Sequence, residues 1–147
     1  MEINITLRLP QDAASVPVSR QILDACMRAL GVGEDTRLNI ELGLSEACAN
    51  VVQHAAPSDD YTVGARVLDD RCVIEVRNVG APEAIPLNGG PEAAPTDEHG
   101  RGMRIIAAVA ENLKLKGHDH TATTLHFEIP LHWLPDAPGN RLRAGPG

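Results

Sequence analysis

The stretch "LSEACANVVQHA", Leu44 to Ala55, places Glu46, Asn50 and His54 at a strict spacing of four. Four residues is about one helical turn, so in a helix the three side chains stack on one face. Ile40, Leu44, Ala47, Cys48, Val51 and Ala55 recur around them at threes and fours, the pattern of a stripe that faces a core. The polar row therefore borders a buried face. An acid, an amide and an imidazole in that position form either a buried hydrogen-bonded network or the wall of a site.

Outward from this stretch, the chain divides into elements. Ile3, Ile5, Leu7 and Leu9 alternate with polar residues and stop at Pro10, which predicts a strand. A helix is predicted from Ala14 or Val16 to Leu30, with Ile22, Leu23, Cys26, Met27 and Leu30 as its apolar stripe and Gly31 and Gly33 beyond its end. The helix carrying the opening stretch is predicted to start at Glu34 or Asp35, whose side chain can cap the first turn. "YTVGARVLD" and "RCVIEVRN" read as two strands joined at Asp69 and Asp70. From Ala81 to Gly100 prolines and glycines exclude a long regular element, and a loop of that length in a compact domain is usually functional. "GRGMRIIAAVAENLKLKG" then predicts a helix and "TTLHFEIPL" a closing strand. The order implies an α/β two-layer sandwich, a mixed, largely antiparallel sheet covered on one face by helices. Residues 1–134 are expected to form one domain and 135–147 a disordered tail.

Composition narrows the function. A formal net charge of −7, with no basic run, argues against direct nucleic-acid binding, because a phosphate backbone requires clustered Lys and Arg. Aromatic residues are only 2%, so the core must be largely aliphatic. Cys26, Cys48 and Cys72 are dispersed in apolar surroundings, unlike a disulfide framework or a metal knuckle. No apolar run is long enough to span a bilayer, and "MEINITLRLP" does not resemble a secretory signal. The expectation is a cytoplasmic protein with reduced cysteines and no membrane segment.

Three pieces of sequence suggest a nucleotide site. Magnesium takes octahedral oxygen ligands and keeps waters, so the Asn50 carbonyl plus phosphates makes a workable shell. Glu46, one turn earlier, is placed to orient a water or take a proton from an attacking hydroxyl. Capping or internal hydrogen bonding explains both residues equally well. In "HGRGM", Gly100 and Gly102 allow close backbone approach at a predicted helix start, where free N–H groups suit phosphate oxygens. A simple hinge is the alternative. "VRNVGAP" ends a strand with Asn78 and Gly80, which by itself reads as a turn, and the threonines of "TATTL" read as β-formers.

Taken in order, these pieces resemble the GHKL ATPase superfamily. "SEACANVVQHA" is similar to its N box, "NVGAP" and "HGRGMRII" to its glycine boxes, "TATTLHFEIPL" to its closing box, and Ala81–Gly100 falls where the family keeps an ATP lid. The short chain and "GRGMRII" most resemble the anti-sigma-factor serine/threonine kinases of bacterial partner switching, regulators of transcription. That resemblance implies ATP and Mg2+ as cofactors, with a sigma factor and an anti-sigma-factor antagonist as protein partners, and it is compatible with a homodimer. It implies Glu46 as catalytic acid/base and Asn50 as the magnesium ligand. Gly100, Arg101, Gly102 and Met103 would cradle phosphates, Asn78 and Gly80 would line the adenine pocket, and Thr124 would sit near it. His54 is expected either to contact nucleotide or to make a structural hydrogen bond.

One departure bears on activity: the family usually has Asp where this chain has Asn78. A neutral acceptor in place of a charged one forfeits ~1 kcal/mol, and a wrongly turned amide more. The alternative reading is therefore a nucleotide-independent partner-binding regulator with a degenerate ATP site. A plain ATPase without a protein substrate is a third.

Overall fold

A computed structural model describes residues 1–54, 60–79, 98–118 and 122–144. In chain order the elements are β1 (Ile3–Pro10), α1 (Ser15–Leu30), α2 (Glu34–His54), β2 (Asp60–Val67), β3 (Arg71–Val79), α3 (Glu98–Val109), β4 (Glu111–His118), β5 (Ala122–Pro130) and α4 (Pro138–Ala144). The five strands form one sheet in the order β1-β2-β3-β5-β4. All four pairings are antiparallel, so the sheet is not mixed.

Residues directly opposite one another across strands share a face, and side chains alternate between faces along each strand. Leu9–Tyr61, Leu7–Val63, Val63–Val76, Ala65–Ile74, Ile74–Phe127 and Cys72–Ile129 are opposed pairs that look toward the helices. α2 packs on β3 and β5, α1 on β1, and α3 against α2, closing a core around Leu23, Met27, Ile40, Leu44, Ile74, Ile106 and Phe127. Each such buried side chain contributes roughly 1.5–3 kcal/mol before the entropy cost of ordering. The core is aliphatic apart from Phe127 and Tyr61, the latter held by a 2.6 Å hydrogen bond to Ser15 Oγ. The other face of the sheet is polar: Arg71 and His126 flank Glu128 at 2.8 and 2.9 Å, and His126 also lies 3.3 Å from Glu75.

Close approaches set where the helices sit. At Gly43 of α2 a Cβ would lie 3.0 Å from Phe127 Cε2, so the missing side chain lets α2 rest on the Phe127 ring. This fixes the height of the following turns, which carry Glu46 and Asn50. α1 ends in a Schellman turn: Gly31 has φ +88°, its N–H meets Arg28 O, and Val32 N–H meets Met27 O. Arg37 of α2 reaches back to Asp24 of α1 at 3.1 Å, locking the helix pair.

Two expectations are corrected. The predicted helix from Gly100 to Gly117 ends at Val109, and residues 111–118 form β4 on the open edge of β5. Asn112 takes φ +54°, the pairing slips between Glu111 and Lys114, and from there Leu113 and Leu115 alternate with Lys114 and Lys116. Both leucines pack against the core, which a strand achieves with period two and a continuing helix would not. The tail expected to be disordered from 135 instead contains α4. Pro138 suits the first helical position, Gly139 sits against the Trp133 ring, and the Arg143 guanidinium lies 5.0 Å from the centre of that ring. Two residues with little local signal, Gly139 and Arg143, meet one aromatic side chain.

Candidate functional site

The C-terminal half of α2 and the start of α3 enclose an open cleft of about 330 Å³, lined by Glu46, Ala49, Asn50, Gln53, Arg101, Gly102 and Ile105. Glu46, Asn50 and Gln53 follow one another at four and three residues, so one helix face supplies the whole α2 wall. From α3, Gly102 is buried while Arg101 is exposed. A Cβ on Gly102 would lie 3.0 Å from Glu46 Oε2, so the glycine makes room for the carboxylate against α3. The first turn of α3, from Glu98, presents backbone N–H groups that have no partner within the helix, and Gly100 lies in that turn.

Asn50 is shared with a second, buried cavity of about 20 Å³, room for about one water. Its walls include Val51, Val76, Asn78, Met103, Thr123 and Leu125. Asn78 and Thr123 face each other across β3 and β5 and are 4% and 5% exposed. Asn78 Nδ2 and Thr123 Oγ1 are both buried without a hydrogen-bond partner. A buried polar atom left unpaired costs about 1–3 kcal/mol, and the space beside these two is large enough for a water to pair with them. Asn50 Nδ2 lies 3.9 Å from Met103 Sδ, a weak contact that leaves the amide available for exchange. The arrangement is an apolar slot with polar groups at its inner end, joined through Asn50 to an acid, an arginine and a helix start.

Of the residues singled out in the sequence, Glu46, Asn50, Arg101 and Gly102 meet in the open cleft, and Asn50, Asn78 and Met103 in the buried cavity. Gly80 and residues 81–97 of the expected lid lie outside the described residues, as does the His54 side chain at the end of α2. Thr124 lines neither space. It pairs with Arg77 and Lys116, and the alternation with Leu125, Phe127 and Ile129 turns it to the face away from the helices. Thr123 takes its place in the cavity. The signal for Thr123 was the odd-numbered apolar run that follows it; Gln53 could have been found from the helical face it shares with Glu46 and Asn50.

The donor set fits magnesium and a nucleoside triphosphate. Two oxygen-bearing side chains stand one turn apart beside a glycine whose Cβ would fill the space, and the adjoining cavity holds unpaired buried polar atoms. The cysteines take no part. Cys48 and Cys72 are buried free thiols, and burial pushes Cys72 up to about 12 and raises Cys48 as well. Among the described residues no group of three or more His, Cys, Asp or Glu could hold a metal ion. No described helix is long and apolar enough to cross a membrane.

A helical layer on an antiparallel sheet, with a cavity between α2, α3 and the β3–β5 strands, defines the class. The chain belongs to the histidine kinase-like ATPase domain family, whose profile matches residues 9–127. It is similar to the serine-protein kinase RsbW of Bacillus mycoides (strain KBAB4), 24% identical over 131 residues that cover 82% of this chain and 81% of that protein. RsbW of Bacillus cereus (strain B4264) is 26% identical over 133 residues, with 82% and 81% covered.

Proposed function

We propose that this protein is an ATP- and Mg2+-dependent serine/threonine kinase and anti-sigma factor that phosphorylates an antagonist protein in the cytoplasm. The observation that carries the reading is the meeting of Glu46, Asn50 and Gly102 in a cleft that shares Asn50 with the cavity at Asn78. The similarity to serine-protein kinases named RsbW supports the reaction class. The sigma factor and antagonist rest on the resemblance of the sequence boxes, as does a homodimer.

Glu46 accepts the proton of the attacking serine or threonine hydroxyl as its oxygen bonds to the γ-phosphorus and the bridging oxygen departs with ADP. The Asn50 carbonyl would hold Mg2+, which would supply neutralisation of phosphate charge. Arg101 and the amides of the first turn of α3, Gly100 among them, steady the phosphate oxygens. Met103 and Asn78 wall the base pocket together with Thr123. Residues 1–134 form the catalytic unit.

The test is phosphoryl transfer from ATP to a candidate antagonist by wild-type protein and by Glu46→Ala. Transfer should vanish in the variant while ATP still binds; transfer that persists removes Glu46 from the role. One observation favours a second reading, a regulator that holds its partner without nucleotide: Asn78 stands where the family usually has Asp, and its Nδ2 is unpaired. In that case partner binding is indifferent to ATP and to Asn50→Ala.

A further inference from the structure

The two edges of the sheet are built differently. At β4 the pairing with β5 slips between Glu111 and Lys114, Asn112 takes φ +54°, and Lys114 and Lys116 are exposed. Lysines and irregular pairing are devices that keep another strand from adding to an edge. β1 has neither. It pairs with β2 residue for residue from Ile3 to Pro10 without a slip, and its one basic side chain, Arg8, lies 3.0 Å from Asp60. Among the described residues no strand pairs with the outer side of β1, where alternate residues turn their N–H and C=O groups away from β2.

The apolar surface beside this edge is also incompletely covered. Ile3, Ile5 and Leu7 point toward the helical layer but are only half-buried. Above them, Arg20 and Asp24 of α1 reach α2 at Ser45 and Arg37, 3.4 and 3.1 Å away. Val18, Ile22 and Cys26 follow one another at single turns on the opposite flank, which looks past β1. Val18 is 47% exposed and Ile22 39%. Such an edge fits an extended strand with alternating apolar residues, covered by a helix with an apolar flank. A second copy of this chain supplies both.

We infer that two copies of the chain join β1 to β1, antiparallel, about a two-fold axis at Thr6. This register opposes Ile3 to Leu9 of the second copy and Ile5 to its Leu7, all on the helical side, and sets Asn4 against Arg8 on the other face. A slip by one residue would turn the apolar set of one strand against the polar set of the other. Pro10, which has no N–H to give, falls outside the paired stretch. Packed helices lie about 8–10 Å apart, roughly two strand spacings, so the α1 helices of the two copies meet along Val18, Ile22 and Cys26. The inference deepens the homodimer of the proposed function and uses none of the residues of the cleft.

The test is sedimentation equilibrium of the full chain and three variants, each first checked for native circular dichroism. The wild type should form a dimer. Thr6→Lys sets two lysines directly opposite at the axis, and Ile22→Asp puts a charge on the helix flank; each should raise the dimer dissociation constant by about tenfold or more. Leu38→Asp, on an exposed side chain of α2, should leave it unchanged. A single-chain mass up to millimolar concentration overturns both the edge pairing and the homodimer. A dimer that withstands Thr6→Lys and Ile22→Asp overturns the edge pairing and leaves a homodimer formed elsewhere. Thr6 and Ile22 are exposed positions on separate elements, so if one variant fails to fold the other decides.

Discussion

Replacing Gly102 with Ala should make the protein more stable and a poorer catalyst. Gly102 is the fifth residue of α3, in ordinary helical conformation, and an alanine there gains about 0.8–1 kcal/mol of helix propensity. The added Cβ would lie 3.0 Å from Glu46 Oε2, against an ordinary contact of 3.4 Å or more. A long, flexible side chain yields the missing few tenths of an ångström cheaply, so the folded state keeps most of the propensity gain. For a chain of this size the melting temperature should rise by about 2–4 °C. The same displacement moves the carboxylate to which the proposed mechanism assigns the substrate proton. Since about 1 Å of misplacement can cost 10²-fold, a shift of this size should lower phosphoryl transfer by roughly tenfold. Differential scanning calorimetry and a transfer assay on one preparation read both effects. A raised melting temperature with unchanged transfer would refute the link between Gly102 and Glu46, and a lowered one would show that the cost falls on packing.

Three further outcomes follow from the geometry. Ser15→Ala removes the acceptor of the Tyr61 hydroxyl, which is 1% exposed, and should destabilise by about 1–2 kcal/mol in urea unfolding; Tyr61→Phe in the same chain should recover part of that, and additive losses would refute the pairing. Glu128 is held at about 2, down from 4.5, first by its hydrogen bond to His126 and then by Arg71. A depressed carboxyl stabilises above its unfolded value and loses that as pH falls, so stability should decline between about pH 4.5 and 2, less steeply in Glu128→Gln. Thr123→Val should weaken nucleotide binding severalfold while Thr124→Val leaves it unchanged, and the reverse result would show the register of β5 to be wrong.

The sequence by itself determined what depends on local period. The three- and four-residue recurrences from Ile40 to Val51 and the alternations in Ile3–Leu9 and Leu125–Ile129 are properties of a helix or strand standing alone, whatever it packs against. The row of Glu46, Asn50 and its neighbours was legible for the same reason, because one helix carries it. Tertiary structure decided the rest. Leu113 by itself continues the helical stripe of Ile106 and Val109, and only the open edge of β5 makes it and Leu115 strand residues. Whether Thr123 or Thr124 enters the cavity depends on pairing with β3, a contact some 45 residues away in the chain, and a one-residue slip turns every side chain to the opposite face. The tail becomes helical because Gly139 and Arg143 find the Trp133 ring. Gly43 and Gly102 look like helix-weakening residues until Phe127 and Glu46 are seen to occupy the space their side chains would fill. Period is written along the chain; occupancy of space is shared between distant segments and exists only once they have packed.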